Sequence, residues 1–172
     1  MLFRTGRRRQ KIRDALFILL LLILMGQAIV AAAAPGGLSA LGTVFGPAMA
    51  ALLRPVGAVL LFGGFALVVV AHLDLGASWR IGIEEDARPG LVTTGLYRFC
   101  RNPIFLFILV GLVGLTLLLP TRLSVAMLIG AFIGIRQQAL AEERYLLRAY
   151  GDAYRAYARR VGRFLPRMGR LA

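Results

Sequence analysis

Two short stretches hold most of the side chains able to do chemistry. The first runs Gly90-Leu91-Val92-Thr93-Thr94-Gly95-Leu96-Tyr97 and continues to Arg101-Asn102-Pro103. Gly95 permits close backbone approach or a positive φ. Tyr97 offers an aromatic face and a hydroxyl. Arg101 offers a planar fork of donors that suits a carboxylate or a phosphate. Asn102 donates and accepts hydrogen bonds but does not titrate near neutrality. The second stretch contains the adjacent carboxylates Glu142 and Glu143, with Arg136 shortly before them. Neighbouring residues point to different faces of a helix. Glu143 is in phase with Leu147, Tyr150 and Tyr154 and so faces the packed side, whereas Glu142 shares its phase with Leu146, Ala149 and Ala153. A buried carboxylate near several arginines is a paired one, and a structural and a ligand-binding role are equally open to it. One cysteine, Cys100, permits no intrachain disulfide. With a single histidine, His72, no Cys/His cluster has metal-ligand spacing.

These residues must be positioned by apolar elements. Arg4, Arg7, Arg8, Arg9, Lys11 and Arg13 precede an apolar run from Ala15 to Ala34. At about 20 residues, or roughly 30 Å as a helix, the run matches the hydrocarbon core of a bilayer. It is too long for the apolar region of a signal peptide, normally about 7–15 residues, so we expect an uncleaved first membrane helix. Pro35, Gly36, Gly37, Gly42, Gly46 and Pro47 mark a loop. A second apolar run covers Met49 to Ala71 and ends at His72. The polar stretch 73–103 includes Trp79 and the triplet Glu84-Glu85-Asp86, and a loop of that length usually has a function. Two shorter apolar runs, Ile104–Leu119 and Leu123–Ile135, are separated by Pro120-Thr121-Arg122, which makes them an antiparallel hairpin. Pro103 suits the first turn of its helix. From Arg136 to Val161 the chain is charged but periodic, and it reads as two amphipathic helices broken near Gly151, with Asp152 placed to cap the second.

Composition agrees with that organisation. Of 172 residues, 59% are hydrophobic and 17% charged. Mean hydropathy is +0.75. Soluble domains hold about 45–50% apolar residues, so the expected class is an all-α polytopic membrane protein. It would have about four transmembrane helices, including a C-terminal helical hairpin, and cytoplasmic amphipathic helices. Basic residues outnumber acidic ones 21 to 8, and all but Lys11 are Arg. They gather at the N-terminus, in the 73–103 loop and in the C-terminal segment, which by the positive-inside rule puts those parts and both termini in the cytoplasm. Anionic lipid headgroups are the natural counter-surface. No basic stretch carries interleaved aromatics on a soluble fold, so no nucleic-acid partner is expected.

The run Leu91-Val-Thr-Thr-Gly-Leu-Tyr97, followed by Arg101-Asn-Pro-Ile-Phe105, resembles a motif of the isoprenylcysteine carboxyl methyltransferase and phospholipid methyltransferase superfamily. So does the block Glu142-Glu-Arg-Tyr-Leu-Leu-Arg-Ala-Tyr-Gly151-Asp-Ala-Tyr154-Arg-Ala-Tyr157, which closes with Arg163-Phe-Leu-Pro166. A membrane hairpin between the two blocks also resembles that superfamily, and the likeness covers roughly residues 73–166. It implies S-adenosyl-L-methionine as methyl donor and a lipid-like acceptor entering from the bilayer, such as the carboxylate of a prenylated cysteine. It implies cofactor contacts from Gly90, Leu91, Val92, Tyr97, Asn102, Pro103, Ile104, Phe105 and Glu142, with Glu143 as the second choice for the carboxylate. Arg101, Asn102 and Arg136 are the implied catalytic residues, and either arginine would hold a carboxylate or phosphate. Asn102 stands where the superfamily often has His, Phe105 where it often has Tyr, and Gln138 where the eukaryotic isoprenylcysteine enzymes have an Arg.

The expected division is a basic tail with two membrane helices over 1–72 and a catalytic region over 73–172. The Arg-, Ala- and Gly-rich composition suits a bacterial inner membrane. Two other function classes compete: an NADPH-dependent membrane reductase of the sterol type, and a non-catalytic membrane scaffold.

Overall fold

A computed structural model describes the backbone of residues 2–34, 36–38, 41–76, 90–166 and 168–169, and their side chains apart from residues 2–14, 16, 17 and 21. Trp79, the acidic triplet and the side chains of the basic tail lie outside the described residues. Among the described residues four α-helices follow in order: α1 (Leu2–Ala33), α2 (Pro47–Leu75), α3 (Pro103–Leu118) and α4 (Arg122–Arg160). A 3-10 turn, Gly95–Arg98, lies between α2 and α3. Among the described residues there are only isolated bridges and no strands.

Two helix boundaries differ from the sequence-based expectation. α1 begins at Leu2, well before the apolar run, because Arg, Lys and Gln are good helix formers and an apolar helix propagates into them. α4 runs unbroken through Ile135 and Arg136, so the fourth apolar run and the first amphipathic segment are one helix. Nothing between them, from Gln137 to Glu143, breaks a helix. The expected break at Gly151 is present, with φ 50° and ψ −120° inside α4. Asp152 there pairs with exposed Arg155 at 2.8 Å.

By length and composition, α2 and α4 are apolar enough to cross a membrane, while Ile18–Ala33 and Pro103–Leu118 are shorter apolar helices. On α2, Leu52, Val59, Phe62, Phe65 and Leu73 are all exposed. Such a surface is stable against lipid rather than water.

The chain forms two compact units. The first comprises residues 1–59 and 112–134. Within it, Gln27 Oε1 accepts from the Thr121 and Ser124 hydroxyls at 2.8 and 3.2 Å. Thr121 Oγ1 also accepts from the Ser124 amide at 3.0 Å, capping the start of α4. A Cβ on Gly57 would lie 2.7 Å from the Gly114 carbonyl, so α2 and α3 meet there at backbone distance. The second unit comprises residues 60–111 and 135–172. Its core joins Tyr154, Tyr157 and Ala158 of α4 to Leu91, Leu146, Leu147, Tyr150 and Val161. Here Gly64 meets the backbone of Phe107 and Gly111 in the same close manner.

Candidate functional site

The second unit holds every sequence-predicted site residue. Its loop is anchored first at Gly95, which has φ +57°. A Cβ at Gly95 would overlap the Asp74 carboxylate, and that carboxylate accepts from the Leu96 amide at 2.7 Å. Gly95 therefore uses both freedoms of glycine, positive φ and close approach. The turn that follows buries Tyr97, whose carbonyl accepts from the Tyr157 hydroxyl at 2.6 Å. Leu91 packs against the tyrosine core of α4.

The next three residues pair with the segment that leaves α4. Cys100 bridges Gly162 in parallel. The Arg101 amide donates to the Gly162 carbonyl at 2.9 Å and the Asn102 amide to the Arg163 carbonyl at 3.1 Å. The Asn102 side chain donates to the same Arg163 carbonyl at 3.2 Å. Its own carbonyl accepts from Leu106 at 3.0 Å, which starts α3, and Pro103 is fully buried in that first turn. Burial pushes the Cys100 thiol up to about 11, against a smaller lowering by its bond to the Asn102 backbone.

Two guanidinium groups converge on one carboxylate at the centre of this unit. Arg101 Nη2 donates to Glu143 Oε1 at 2.9 Å, while Arg163 donates through Nε to Oε1 at 2.8 Å and through Nη2 to Oε2 at 2.9 Å. Arg101 also donates to the carbonyls of Ala158 at 3.0 Å and Gly169 at 2.8 Å. Helical phase predicted an inward Glu143, and it is 4% exposed. Arg101 is 5% exposed, and its guanidinium lies 6.0 Å from the Tyr154 ring. The cluster therefore carries one net positive charge, with the Arg101 and Glu143 side chains almost wholly buried and that of Arg163 partly exposed.

Glu142 sits differently. It is half-buried and accepts from the neutral Gln138 side chain at 2.8 Å. The Tyr97 phenol titrates well above its usual range, first through burial and next through the negative charge of Glu142. The structure thus brings Tyr97, Glu142 and the Asn102 turn into one unit. Val92, Ile104 and Phe105 are half-buried, and Gly90 is exposed. Arg136 is exposed and, among the described residues, makes no hydrogen bond or ion pair with the cluster. Arg101, expected to hold a substrate anion, is instead committed to Glu143 and two carbonyls.

Three contributors escaped the sequence reading. Asp74 is a lone acid at the end of an apolar helix, which was the available signal. Tyr157 read only as packing, yet its hydroxyl fixes the turn at Tyr97. Arg163 lies in the closing motif, but nothing in its spacing paired it with Glu143.

Comparisons with known proteins agree with this arrangement. A solved structure of the eukaryotic intramembrane Ras methyltransferase ICMT (isoprenylcysteine carboxyl methyltransferase) superposes with a TM-score of 0.67 over 92% of this chain and 55% of that one, at 20% identity. That likeness speaks to the fold. The nickel-cobalt-cadmium resistance protein NccN of Alcaligenes xylosoxydans xylosoxydans is 32% identical over 114 residues, covering 66% of this chain and 53% of that protein. Methanethiol S-methyltransferase 1 of Bradyrhizobium diazoefficiens is 34% identical over 116 residues, covering 61% of this chain and 39% of that protein. The chain spans about half the length, or less, of these relatives. The profile of the phospholipid methyltransferase family matches residues 52–153, more than half of the chain and most of the described candidate site. A helical membrane fold like that of ICMT and a family match across α2, α3 and most of α4 lead to one assignment: the chain belongs to the phospholipid methyltransferase family, within the isoprenylcysteine carboxyl and phospholipid methyltransferase superfamily.

Proposed function

We propose that the chain is an integral membrane methyltransferase that uses S-adenosyl-L-methionine and methylates a lipid-like acceptor. One observation carries the cofactor part. Glu142 is half-buried, accepts from the Gln138 amide at 2.8 Å, and its negative charge raises the titration of the buried Tyr97 phenol, in the same unit as the Asn102 turn. The donor is a cationic sulfonium with a methionyl ammonium, and a half-buried carboxylate is the group that would pair with that ammonium. The residues present therefore fit the cofactor. Glu142 would hold the ammonium, Tyr97 and Leu91–Val92 would line the adenosyl side, and Asn102–Phe105 would close the turn. When bound, the cofactor supplies an activated methyl group for in-line displacement.

The chain's own residues supply proximity and desolvation. A carboxylate acceptor needs no general base, which suits Asn102 at a position where no imidazole stands. Of the two arginines considered for an acceptor anion, Arg101 is committed to Glu143, so that task falls to exposed Arg136. A prenylated cysteine or related isoprenoid carboxylate is the first acceptor class. A thiol is the second, because a methanethiol S-methyltransferase is among the similar proteins. The apolar exposed face of α2 supports entry of the acceptor from the bilayer.

The proposal extends to placement. α1 and α3 would serve as the two shorter spans, giving four spans with both termini in the cytoplasm of a bacterial inner membrane. The region 73–172 would carry catalysis, and residues 1–72 would anchor it. Exposed Arg144, Arg148, Arg155 and Arg159 would face anionic headgroups.

The test is thermal unfolding of the purified chain in detergent with S-adenosylmethionine, S-adenosylhomocysteine and NADPH titrated separately. A ligand at about 100 times its dissociation constant stabilises by about 2.7 kcal/mol. We expect both adenosyl ligands to raise the midpoint and NADPH to leave it unchanged. A shift with NADPH alone would replace this function with a reductase, and no shift in a folded sample would favour a scaffold.

A further inference from the structure

We propose that Arg163 is a positioning residue that sets the Asn102–Phe105 turn against the helix segment bearing Glu142. The idea rests on the proposed function only where it speaks of cofactor binding. Arg163 is used at both ends. Its carbonyl receives the Asn102 amide at 3.1 Å and the Asn102 side chain at 3.2 Å. Its guanidinium grips both oxygens of Glu143 at 2.8 and 2.9 Å. Glu143 is the peptide neighbour of Glu142, so one residue bridges the start of α3 and the candidate ammonium-binding carboxylate.

The strap that carries Arg163 is itself tightly turned. The Arg163 amide donates to the Met168 carbonyl at 2.8 Å, and the Met168 amide to the Leu165 carbonyl at 3.1 Å. Gly162 lies so close to the Leu165 carbonyl that any Cβ there would overlap it. The Gly169 carbonyl takes Arg101 Nη2 at 2.8 Å, which returns the strap to the same cluster. The bidentate geometry fixes the orientation of Arg163 as well as its distance, which a single charge would not do. A guanidinium whose only role was solubility would need no such geometry. The side chain is 21% exposed, so a small guanidinium added from solution has a route to the vacated position.

The experiment uses the full chain in lipid nanodiscs, with Arg163→Ala, Arg163→Lys and, as a charge-matched control, exposed Arg159→Ala. Two quantities are read: hydrogen exchange in peptides spanning residues 100–106, and the dissociation constant of S-adenosylhomocysteine. In Arg163→Ala the Arg101 and Asn102 amides should exchange about 10- to 100-fold faster, as expected for loss of charge-assisted bonds. S-adenosylhomocysteine should bind at least about tenfold more weakly, and ethylguanidinium in the buffer should restore both. Arg163→Lys should fall between wild type and Arg163→Ala, and it carries the comparison alone if Arg163→Ala does not fold. Arg159→Ala should match wild type in both. Unchanged exchange in the Arg163 variants, or weakened binding that ethylguanidinium does not restore, would overturn the proposal. If exchange responds as stated while wild type binds no S-adenosylhomocysteine, the proposed cofactor fails and the positioning of Asn102 by Arg163 stands.

Discussion

Replacing Glu143 by Gln should destabilise the fold more than the same change at Glu142, its neighbour. The side chains of Arg101 and Glu143 are 1% and 5% exposed, and that of Arg163 is 21% exposed. Removing one partner from a buried ion pair costs about 3–5 kcal/mol, because the remaining charge stays out of water. The environment places each variant within that range. Glutamine can keep its carbonyl oxygen at the Oε1 position, where two of the three guanidinium bonds end, and sets an amide donor against Arg163 Nη2, while Arg163 can turn partly towards water. Arg101 keeps the Ala158 and Gly169 carbonyls but cannot reach solvent. Glu143→Gln should therefore lie near the lower end, about 3 kcal/mol, and Glu143→Ala near the upper end, about 5 kcal/mol. The lower figure already shifts the folding equilibrium by about a hundredfold. Glu142→Gln, half-buried and paired with a neutral amide, should cost about 1 kcal/mol. Equilibrium unfolding of the purified variants in mixed micelles reads these differences directly. If Glu143→Gln were no less stable than Glu142→Gln, the ion cluster would not be what holds this unit together.

Three further outcomes follow from local geometry. Cys100 is buried with its thiol pushed up to about 11, so at pH 8 only about one thiol in a thousand is ionised and maleimide should label the folded chain far more slowly than the unfolded one. Because the folded state holds that proton more tightly, the stability contributed by Cys100 is complete below about pH 9 and is lost as pH rises through about 11; an unfolding series over that interval checks the sign. Gly95→Ala forces a side chain into positive φ and against the Asp74 carboxylate, which should cost at least about 1–2 kcal/mol. Asp74→Ser should relieve part of that loss, as a double-mutant cycle in unfolding experiments would show. Gln27→Leu should change stability by less than about 1 kcal/mol, because it also removes a buried Nε2 that has no partner, and Thr121 and Ser124 remain 3.0 Å apart to satisfy each other.

Much of the fold was legible because membrane helices advertise themselves by apolar length, and because Gly and Pro act locally. Pro103 opens α3, Gly151 breaks α4, and Gly95 takes positive φ, each for a reason internal to one residue. The errors came where the signal was not local. A change from apolar to charged composition at Arg136 looked like a boundary, yet composition changes the surroundings of a helix without ending it; only a breaker or a cap does that. Arg101 looked available for a substrate because an arginine's partners are invisible in sequence. Glu143 lies 42 residues from Arg101 and 20 from Arg163, and no spacing rule connects them.

The two glutamates show why phase and family resemblance pointed to different residues. Phase reports which side chain is packed, and it selected Glu143. Packing among arginines fills the oxygens of that carboxylate, so a residue chosen by burial is already committed. A group that must exchange partners during a catalytic cycle has to be partly buried and lightly held, or its release would cost the fold several kcal/mol each time. Glu142, one residue away and on the next face, is half-buried and takes a hydrogen bond from the neutral Gln138 amide at 2.8 Å. Under the proposed function the adjacent carboxylates would divide the work: Glu143 would fix the backbone beneath Glu142, and Glu142 would bind the cofactor ammonium. On this argument Glu142→Gln should weaken S-adenosylhomocysteine binding more than it weakens the fold, and Glu143→Gln should do the reverse.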